Sequence, residues 1–449
     1  MLNKYIFLDK NFEIRRAKSM KHMLLIKDIT ATNVKFYVND LAVEIFSLMD
    51  GTKTYNDIIE ILQNKYSETF GSVKNKMDMF FKQIDNDYGF KVIFSDSLVN
   101  KPVKIIDINN VYPVVVSIEL THKCNLHCLH CYGEYDCKNN DEADLDCVKK
   151  FLKDAKDIGV EIIELTGGDI SVYPHLMEVL ETCLELKFEN IALLTNGVVL
   201  SSDIVDFIIE NKDRFVVQID LHSLRDEYLA WFTGAQSTVE KIKVLIKKLV
   251  DNDVVLRVAS TITKKNIDEL EEIADWLHDN GVKRFAAGPV IKMGRAENND
   301  VLLDDIESIN KFNTAIKNIN ARYDKFIGII DEFDLHRENC GTLTSNVCIA
   351  PSGEIKYCVM DNMSDLNCNI GNVFKKSIKD IYDEHSNLFI DIANAASPKL
   401  NSDECKECVH RYFCANCLLR GLLKHKQIGE KCKWYSKHMT KLMQQKLLS

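Results

Sequence analysis

The sequence predicts an α/β protein with a mainly parallel sheet, preceded by a small winged-helix-like unit and followed by a cysteine-rich segment. Three observations lead to this prediction. Strand-like and helix-like runs alternate between about residues 113 and 330. The first 105 residues have a different pattern and contain no cysteine, whereas nine of the 15 cysteines lie after position 339. We therefore expect domains at 1–105, 106–330 and 331–449, which suits a chain of 449 residues.

The composition narrows the classes of function. Hydrophobic residues make up 46% of the chain, enough for a buried core, and the formal net charge of −10 argues against a broad nucleic-acid-binding face. The chain has no apolar run long enough to cross a membrane and no secretion signal at its start, so we expect a cytoplasmic protein. Disulfides are rare in the cytoplasm, and clustered cysteines there usually bind metal.

The N-terminal unit is predicted from short extended runs and three amphipathic helices. Asn39 and Thr54 are suited to cap the first two helices, and Gly51 is suited to end the first one. A closing extended run follows the third helix. The apolar faces of the three helices comprise Leu41, Ile45 and Leu48, then Ile58, Ile61 and Leu62, then Met77, Phe80, Phe81 and Ile84.

The middle region is predicted to form six β–α units. Each strand candidate is a short apolar run, and helix-like patterns separate the runs, which indicates a parallel sheet that is open or partly closed into a barrel. In such sheets the active site lies at the carboxyl ends of the strands. The candidate strands are 114–118, 162–166, 191–195, 215–220, 254–261 and 285–289.

Three cysteines directly follow the first of these strands. Cys124, Cys128 and Cys131 lie on one loop, so their thiolates can surround one metal centre. A [4Fe–4S] cluster has four irons, and three protein ligands would leave one iron open for chemistry. A structural zinc site with His122, His127 or His130 as fourth ligand is the alternative, although zinc sites usually pair cysteines with two-residue gaps.

This spacing, followed by the aromatic Tyr132, resembles the signature of the radical S-adenosylmethionine (SAM) superfamily. The resemblance implies a partial (β/α)6 barrel in which SAM chelates the open iron and is cleaved to a 5′-deoxyadenosyl radical. It also implies SAM contacts at the ends of later strands, and Gly294-Arg295-Ala296 resembles a segment beside the adenosine. The SAM contacts implied by the resemblance are Tyr132, Gly167, Gly168, Asp169, Asn196, Asp220 and Arg257.

The last cysteines resemble the SPASM extension of radical SAM enzymes, which binds two auxiliary [4Fe–4S] clusters. Gly353, five residues before Cys358, fits that pattern, whereas the gap between Cys414 and Cys417 is one residue shorter than usual. On spacing alone, zinc ribbons remain the alternative. The resemblance implies that Cys340, Cys358 and Cys417 bind the first auxiliary cluster, with Cys348 a candidate fourth ligand and Cys368 a weaker one, and that Cys405, Cys408, Cys414 and Cys432 bind the second.

Residues 20–95 resemble a RiPP recognition element, the domain that binds leader peptides of ribosomally made natural products. The leader would add a strand to a sheet edge, supplied by the run 21–29 or the run 34–38. A structural or DNA-binding winged helix is the alternative reading of this unit.

The whole chain resembles peptide maturases that form sulfur-to-carbon thioether links, the sactipeptide and ranthipeptide enzymes. The resemblance implies three [4Fe–4S] clusters, SAM, a Cys-containing precursor peptide bound through its leader, and an electron donor such as flavodoxin or ferredoxin. Other peptide radical chemistry (carbon–carbon or carbon–oxygen cross-linking, epimerisation, decarboxylation) and a non-catalytic metal-binding peptide scaffold remain the alternatives. No catalytic acid or base is predicted.

Overall fold

The computed structural model contains two compact units, 1–111 and 112–449. It describes residues 2–17, 22–26, 35–88, 90–108, 110–236, 238–324, 326–329, 339–363, 366 and 368–448. Among these residues, no helix has both the length and the apolar character needed to cross a bilayer.

The first unit contains two sheets and three helices around one apolar core. Its elements are β1 (Tyr5–Leu8), β2 (Phe12–Ala17), β3 (His22–Ile26), β4 (Lys35–Val38), α1 (Asp40–Leu48), β5 (Asp50–Thr54), α2 (Tyr55–Tyr66), α3 (Phe70–Tyr88), β6 (Val92–Ser95) and β7 (Lys104–Ile108). One sheet has the strand order β5-β1-β6, and the other has the order β4-β3-β2-β7. The fully buried core side chains include Phe46, Tyr55, Ile58, Ile84 and Phe90.

The first two helices of this unit begin where the sequence predicts, but the first helix does not end where predicted. The Asn39 side chain accepts from the Ala42 N–H at 2.9 Å, and Thr54 forms a capping box with Asp57. The prediction that Gly51 ends the first helix is wrong, because α1 ends at Leu48 and Gly51 lies in strand β5. Its φ of +77° lets the strand approach Val99, whose carbonyl oxygen would lie 2.0 Å from an added Cβ.

The buried helix faces also differ in part from the prediction. Val43 and Phe46 are buried with Ile45, whereas Leu41 and Ile61 are exposed. Strands β1, β2, β5 and β7 were not predicted, because their pairing depends on residues distant in sequence.

The second unit is built around a sheet with the order β14-β13-β12-β11-β10-β9-β8-β15-β16. Every described pair in it is parallel except β15 with β16. Its strands are β8 (Val115–Thr121), β9 (Ile162–Gly167), β10 (Asn190–Thr195), β11 (Phe215–Asp220), β12 (Val255–Ile262), β13 (Arg284–Pro289), β14 (Ile327–Ile329), β15 (Asn346–Ile349) and β16 (Ile355–Lys356).

Helices follow these strands as the alternating pattern predicts. On α4, the residues Val148, Phe151, Leu152 and Ala155 recur at helical spacing and are buried. The helices are α4 (Leu145–Asp157), α5 (Leu176–Glu185), α6 (Ser202–Glu210), α7 (Asp226–Thr233), α8 (Val239–Asp251), α9 (Leu270–Asp279), α10 (Ile306–Tyr323), α11 (Ile378–Glu384), α12 (Ser386–Asn394), α13 (Arg411–Cys414), α14 (Leu418–Ile428), α15 (Lys433–His438) and α16 (Lys441–Leu447).

The predicted fold class of this region is confirmed. All six predicted strands are present as β8 to β13, each end lying no more than three residues from its predicted position, and consecutive strands are parallel neighbours. A hairpin around Gly353 is formed by β15 and β16. Strand β15 pairs with β8, so the C-terminal segment extends the same sheet beyond its first strand.

Candidate active site

The cysteine loop, residues 122–136, leaves the carboxyl end of β8. Cys124 is buried, and Cys128 and Cys131 are half-buried. Burial raises the pKa of the Cys124 thiol to about 12, and Asp169 and Cys131 add to that shift. The pKa of Cys128 is also raised well above its usual value, by burial and then by the neighbouring charges of Cys124 and Cys131. The three thiols therefore lie close enough for their charges to interact, which fits the donor set of a [4Fe–4S] cluster.

Arg295 holds this loop in place. Its backbone N–H donates to the Cys131 carbonyl at 3.0 Å, and its guanidinium donates to the carbonyls of Cys128 at 2.8 Å and Tyr135 at 2.7 Å. The preceding Gly294 has a φ of +55°, and a Cβ there would lie 2.4 Å from the Tyr132 carbonyl oxygen. The segment predicted to lie beside the adenosine thus contacts the backbone of the cysteine loop.

The two glycines at the end of β9 also allow two backbone segments to lie close together. A Cβ on Gly167 would lie 2.2 Å from the Thr121 carbonyl oxygen, and one on Gly168 would lie 2.3 Å from that of Lys123. The Gly168 N–H donates to Thr121 at 2.7 Å. These residues therefore let the end of β9 pack against the start of the cysteine loop, a role that the sequence prediction of SAM contacts did not include.

Asp169 is buried and connects the ends of β9 and β10. Its carboxylate accepts from the Asn196 N–H at 2.7 Å, from the Ser171 N–H at 2.9 Å and from the Thr195 hydroxyl at 3.1 Å. Burial raises the pKa of Asp169, and these hydrogen bonds oppose that shift. The carboxylate therefore orders the loops around the predicted SAM site; its contact with SAM itself stays a prediction.

A small cavity of about 50 Å³ lies beside the cysteine loop. Burial and the nearby Asp169 raise the pKa of Asp220 to about 7, and burial lowers that of His222 to about 4. The cavity is therefore a desolvated polar site, where electrostatic interactions are strong. It is lined by Leu126, Cys128, His130, Asn196, Val198, Asp220, His222, Leu229, Thr233, Thr238 and Ile242.

His130, rather than Tyr132, is the aromatic residue of the loop that lines this cavity. Its ring stacks on Phe232 at 4.5 Å, and its buried Nδ1 has no hydrogen-bond partner among the described residues. Tyr132 packs edge-on against Tyr135, with ring centroids 6.2 Å apart. The sequence analysis considered His130 only as a zinc ligand. Its position between Cys128 and Cys131 was the feature of the sequence that could have placed it at this site.

Arg257 lies on β12, among polar side chains of neighbouring strands. Its guanidinium donates to Gln218, and the charges of Glu164 and Asp220 oppose the lowering of its pKa by burial. Glu164 in turn accepts from the Ser117 hydroxyl at 2.5 Å. Arg257 therefore belongs to a row of polar side chains that crosses the middle of the sheet.

A buried ion pair connects β8 to the C-terminal hairpin. The Lys356 ammonium lies 2.6 Å from the Glu119 carboxylate, and these side chains are 1% and 0% exposed. Glu119 also accepts from the Tyr135 hydroxyl at 3.0 Å and lies 3.1 Å from the His122 ring. Burial alone would raise the pKa of Glu119, but His122 and Lys356 outweigh it and hold the pKa below its usual value. The sequence analysis missed this network, although Glu119 stands out in an apolar strand.

The later cysteines form two groups in the structure. Burial raises the pKa of Cys358, and the neighbouring charges of Cys417, Cys340 and Cys348 raise it further. Cys348 is buried on β15, opposite Lys356. The pKa of Cys368 is raised by burial and by Asp361. The charges of Cys340, Cys417 and Cys348 thus all act on Cys358, and those of Cys340, Cys417, Cys368 and Cys358 all raise the pKa of the buried Tyr357.

The second group surrounds a cavity of about 240 Å³. Burial raises the pKa of Cys414 to about 12, and the charges of Cys432 and Cys408 contribute. Four thiols around a cavity of this size fit the Cys₄ donor set of a [4Fe–4S] cluster. The four cysteines that line it are Cys405, Cys408, Cys414 and Cys432. Among the described residues, no three His, Cys, Asp or Glu side chains are arranged closely enough to hold a single metal ion.

The remaining cysteines lie outside these groups. Cys183 is buried on α5, whereas Cys147 on α4 is half-buried and Cys137 is exposed.

Comparison with known proteins agrees with this arrangement. Residues 118–277 match the radical SAM superfamily, and residues 340–409 match the SPASM iron–sulfur cluster-binding domain. The chain is 27% identical over 401 residues to the antilisterial bacteriocin subtilosin biosynthesis protein AlbA of Bacillus subtilis, covering 88% of each chain. It is 22% identical over 322 residues to the sporulation killing factor maturation protein SkfB of the same organism, covering 69% of this chain and 75% of SkfB.

A solved structure shares the fold. Streptococcus suis SuiB, crystallised with the precursor peptide SuiA, superposes with a TM-score of 0.63 at 16% identity, covering 95% of this chain and 100% of SuiB. The chain therefore contains a radical SAM domain followed by a SPASM domain.

Proposed function

We propose that this protein modifies a ribosomally made precursor peptide and forms a thioether between a cysteine sulfur and a carbon of another residue. The observation that carries the proposal is the similarity to AlbA along 88% of both chains, which extends well beyond the radical SAM domain. The names of AlbA and SkfB describe peptide biosynthesis and maturation, and SuiB was crystallised with a precursor peptide.

Three [4Fe–4S] clusters and SAM are the proposed cofactors. When bound at the first site, cluster and SAM supply the 5′-deoxyadenosyl radical that abstracts a hydrogen from the peptide. Two side chains of the protein position the cysteine ligands and the loops beside them. Arg295 holds the carbonyls of the cysteine loop, and Asp169 orders the neighbouring strand ends. We propose Gly167, Gly168, Asp169, Asn196, Asp220 and Arg257 as the SAM-binding set, with His130 in place of Tyr132 as its aromatic member.

The auxiliary sites are assigned to the two later groups of cysteines. The charges of Cys340 and Cys417 act on Cys358, and we propose Cys348, whose charge also raises the pKa of Cys358, as the fourth donor. The second cluster would be held by the four cysteines around the larger cavity. An electron donor such as a flavodoxin or ferredoxin would serve the clusters.

Residues 1–105 are proposed to bind the leader of the precursor. Of the two candidate edges, β3 lies between β2 and β4, so most of the run 21–29 that the structure describes is inside the sheet. Strand β4 is the end strand of the described sheet and can accept an added strand. We propose that the leader pairs with β4, the core domain spans 106–330 and the SPASM domain spans 331–449.

The test uses the full-length protein, reconstituted anaerobically with iron and sulfide, and the Cys-containing peptide encoded beside its gene. With SAM and dithionite, each thioether should lower the peptide mass by two hydrogens and remove one reactive thiol. Omission of SAM is the control. Formation of deoxyadenosine without thiol loss would contradict the thioether and indicate another peptide modification.

Metal analysis of the same preparation separates the enzyme from a non-catalytic scaffold. Three four-iron clusters correspond to about twelve irons per chain. One or two zincs with little iron would contradict the proposal.

A further inference from the structure

A buried tyrosine hydroxyl beside the first auxiliary group of cysteines lacks a hydrogen-bond partner. Tyr357 directly precedes Cys358 and is 1% exposed. Its hydroxyl has no partner within the part of the chain that the structure describes. Buried polar groups nearly always form hydrogen bonds, because a hydroxyl that is removed from water and left unpaired destabilises the fold. The unpaired hydroxyl therefore indicates a partner that is not part of the polypeptide.

The backbone of Tyr357 is held by hydrogen bonds on both sides. Its N–H donates to the Asp361 carboxylate at 3.2 Å, and its carbonyl accepts from the Thr342 hydroxyl. The Asp361 N–H in turn donates to the Cys358 carbonyl at 3.0 Å. Thr342 lies two residues after Cys340 in the sequence. Tyr357 is therefore fixed to the two chain segments that carry Cys340 and Cys358.

Three of the four cysteines whose charges act on Tyr357 are proposed ligands of the first auxiliary cluster. Burial raises the pKa of Tyr357 well above its usual value, and these charges raise it further. At neutral pH a tyrosine keeps its proton and can donate it in a hydrogen bond. Sulfur atoms that carry negative charge, as in a cluster and its thiolate ligands, can accept such a bond. The four cysteines, in order of effect, are Cys340, Cys417, Cys368 and Cys358.

We propose that the Tyr357 hydroxyl donates a hydrogen bond to a sulfur atom of the first auxiliary cluster and raises the reduction potential of that cluster. Reduction adds a negative charge to the cluster, and the hydrogen bond stabilises this charge. Hydrogen bonds to the sulfurs are among the factors that set the potential of an iron–sulfur cluster. Tyr357 thus determines how readily this cluster takes up an electron. The inference rests on the proposed function, in which Cys340, Cys358 and Cys417 hold the cluster.

A second buried tyrosine provides a matched control. Tyr382 lies fully buried on α11, and burial and the charge of Cys368 raise its pKa. Its hydroxyl, unlike that of Tyr357, has a partner in the chain, because it donates to the Leu343 carbonyl at 3.0 Å. Tyr382→Phe therefore removes the same oxygen atom from the same region of the protein without removing a donor to the cluster.

The test measures reduction potentials of the full-length protein reconstituted with iron and sulfide. A potentiometric titration followed by electron paramagnetic resonance gives the midpoint of each cluster, and added SAM identifies the signal of the cluster that it binds. In Tyr357→Phe, the reduction equilibrium constant of one auxiliary cluster should fall about tenfold, which lowers its midpoint by about 59 mV. The other two midpoints, and all three midpoints of Tyr382→Phe, should match the wild type.

A second measurement detects the hydrogen bond itself. In deuterated buffer, the reduced auxiliary cluster of the wild type should show magnetic coupling to an exchangeable deuteron. This coupling should be absent from Tyr357→Phe and present in Tyr382→Phe. A hydroxyl with a purely structural role would leave the coupling unchanged in both variants, and that result would overturn the inference.

The remaining outcomes separate this inference from the proposed function. Wild-type protein with far fewer than about twelve irons per chain would overturn the three proposed clusters. With all clusters present, unchanged midpoints in Tyr357→Phe, or an equal shift in Tyr382→Phe, would overturn the hydrogen bond alone. Loss of about four irons from Tyr357→Phe would also overturn it, and would make the hydroxyl an iron ligand.

Discussion

The two cysteine-rich regions of this protein are supported in different ways. The cysteine loop after β8 is held by distant residues, namely the glycines after β9, Arg295 and the pair of Glu119 with Lys356. In the C-terminal group, short turns shape a loop around an open cavity. In one of these turns the Cys408 N–H donates to the Cys405 carbonyl at 2.8 Å. The first region is thus tied to distant parts of the chain, as expected of a site that must position reacting groups, whereas the second depends on local turns.

The largest effect should come from the thiols of the first region. Replacing Cys128 by Ala removes one of three donors for the proposed SAM-binding cluster, so we expect complete loss of deoxyadenosine formation. The matched control is Cys137→Ala, nine residues away and exposed. Comparable loss in both variants would mean that the loop tolerates no substitution, and turnover by the Cys128→Ala protein would exclude the assigned ligand.

The next effect concerns the buried ion pair. Lys356→Met should leave the Glu119 carboxylate without its cation inside the protein, which costs about 3–5 kcal/mol of stability. The double variant Glu119→Gln with Lys356→Met removes both charges and should recover much of that loss. Thermal unfolding of the single and double variants measures this coupling. Equal losses for the single and double variants would show that lost packing, rather than an unpaired charge, sets the cost.

A smaller effect is expected at Arg295. Arg295→Lys keeps the positive charge but loses the fork that reaches two carbonyls of the cysteine loop, because an ammonium is a point donor. Loss of such outer contacts typically lowers metal affinity or activity by about 10–100-fold. Iron retention under a chelator and deoxyadenosine formation are the measurements, with Arg214→Lys, an exposed arginine outside the site, as the control. Full retention of iron by Arg295→Lys would show that the two hydrogen bonds of the guanidinium are not needed to hold the cysteine loop around its cluster.

The same contrast explains how much could be predicted from the sequence. The strands β8 to β13 were predicted because each is a short apolar run bounded by turns, and the cysteine groups because their spacing is local. The network of Glu119 and Lys356 could not be predicted, since its members lie 237 residues apart. Arg295 was noticed only by resemblance; its contact with Cys128, 167 residues away, has no local sequence pattern that could predict it.

The smallest effect should come from Asp169. Its side chain accepts from the Ser171 and Asn196 N–H groups, and so links the end of β9 to the end of β10. Asp169→Glu would move the carboxylate by one methylene and lose part of this cap, which is worth about 1 kcal/mol. We expect SAM to bind about fivefold more weakly, measured by equilibrium binding to the reconstituted protein, while Asp203→Glu on the exposed start of α6 leaves binding unchanged. Tighter binding by Asp169→Glu would instead indicate that the contact of this carboxylate with SAM, and not its hydrogen bonds to the loops, limits the affinity. Because the hydrogen bonds of Asp169 are directed at the neighbouring loops, weaker binding is the outcome that the structure favours.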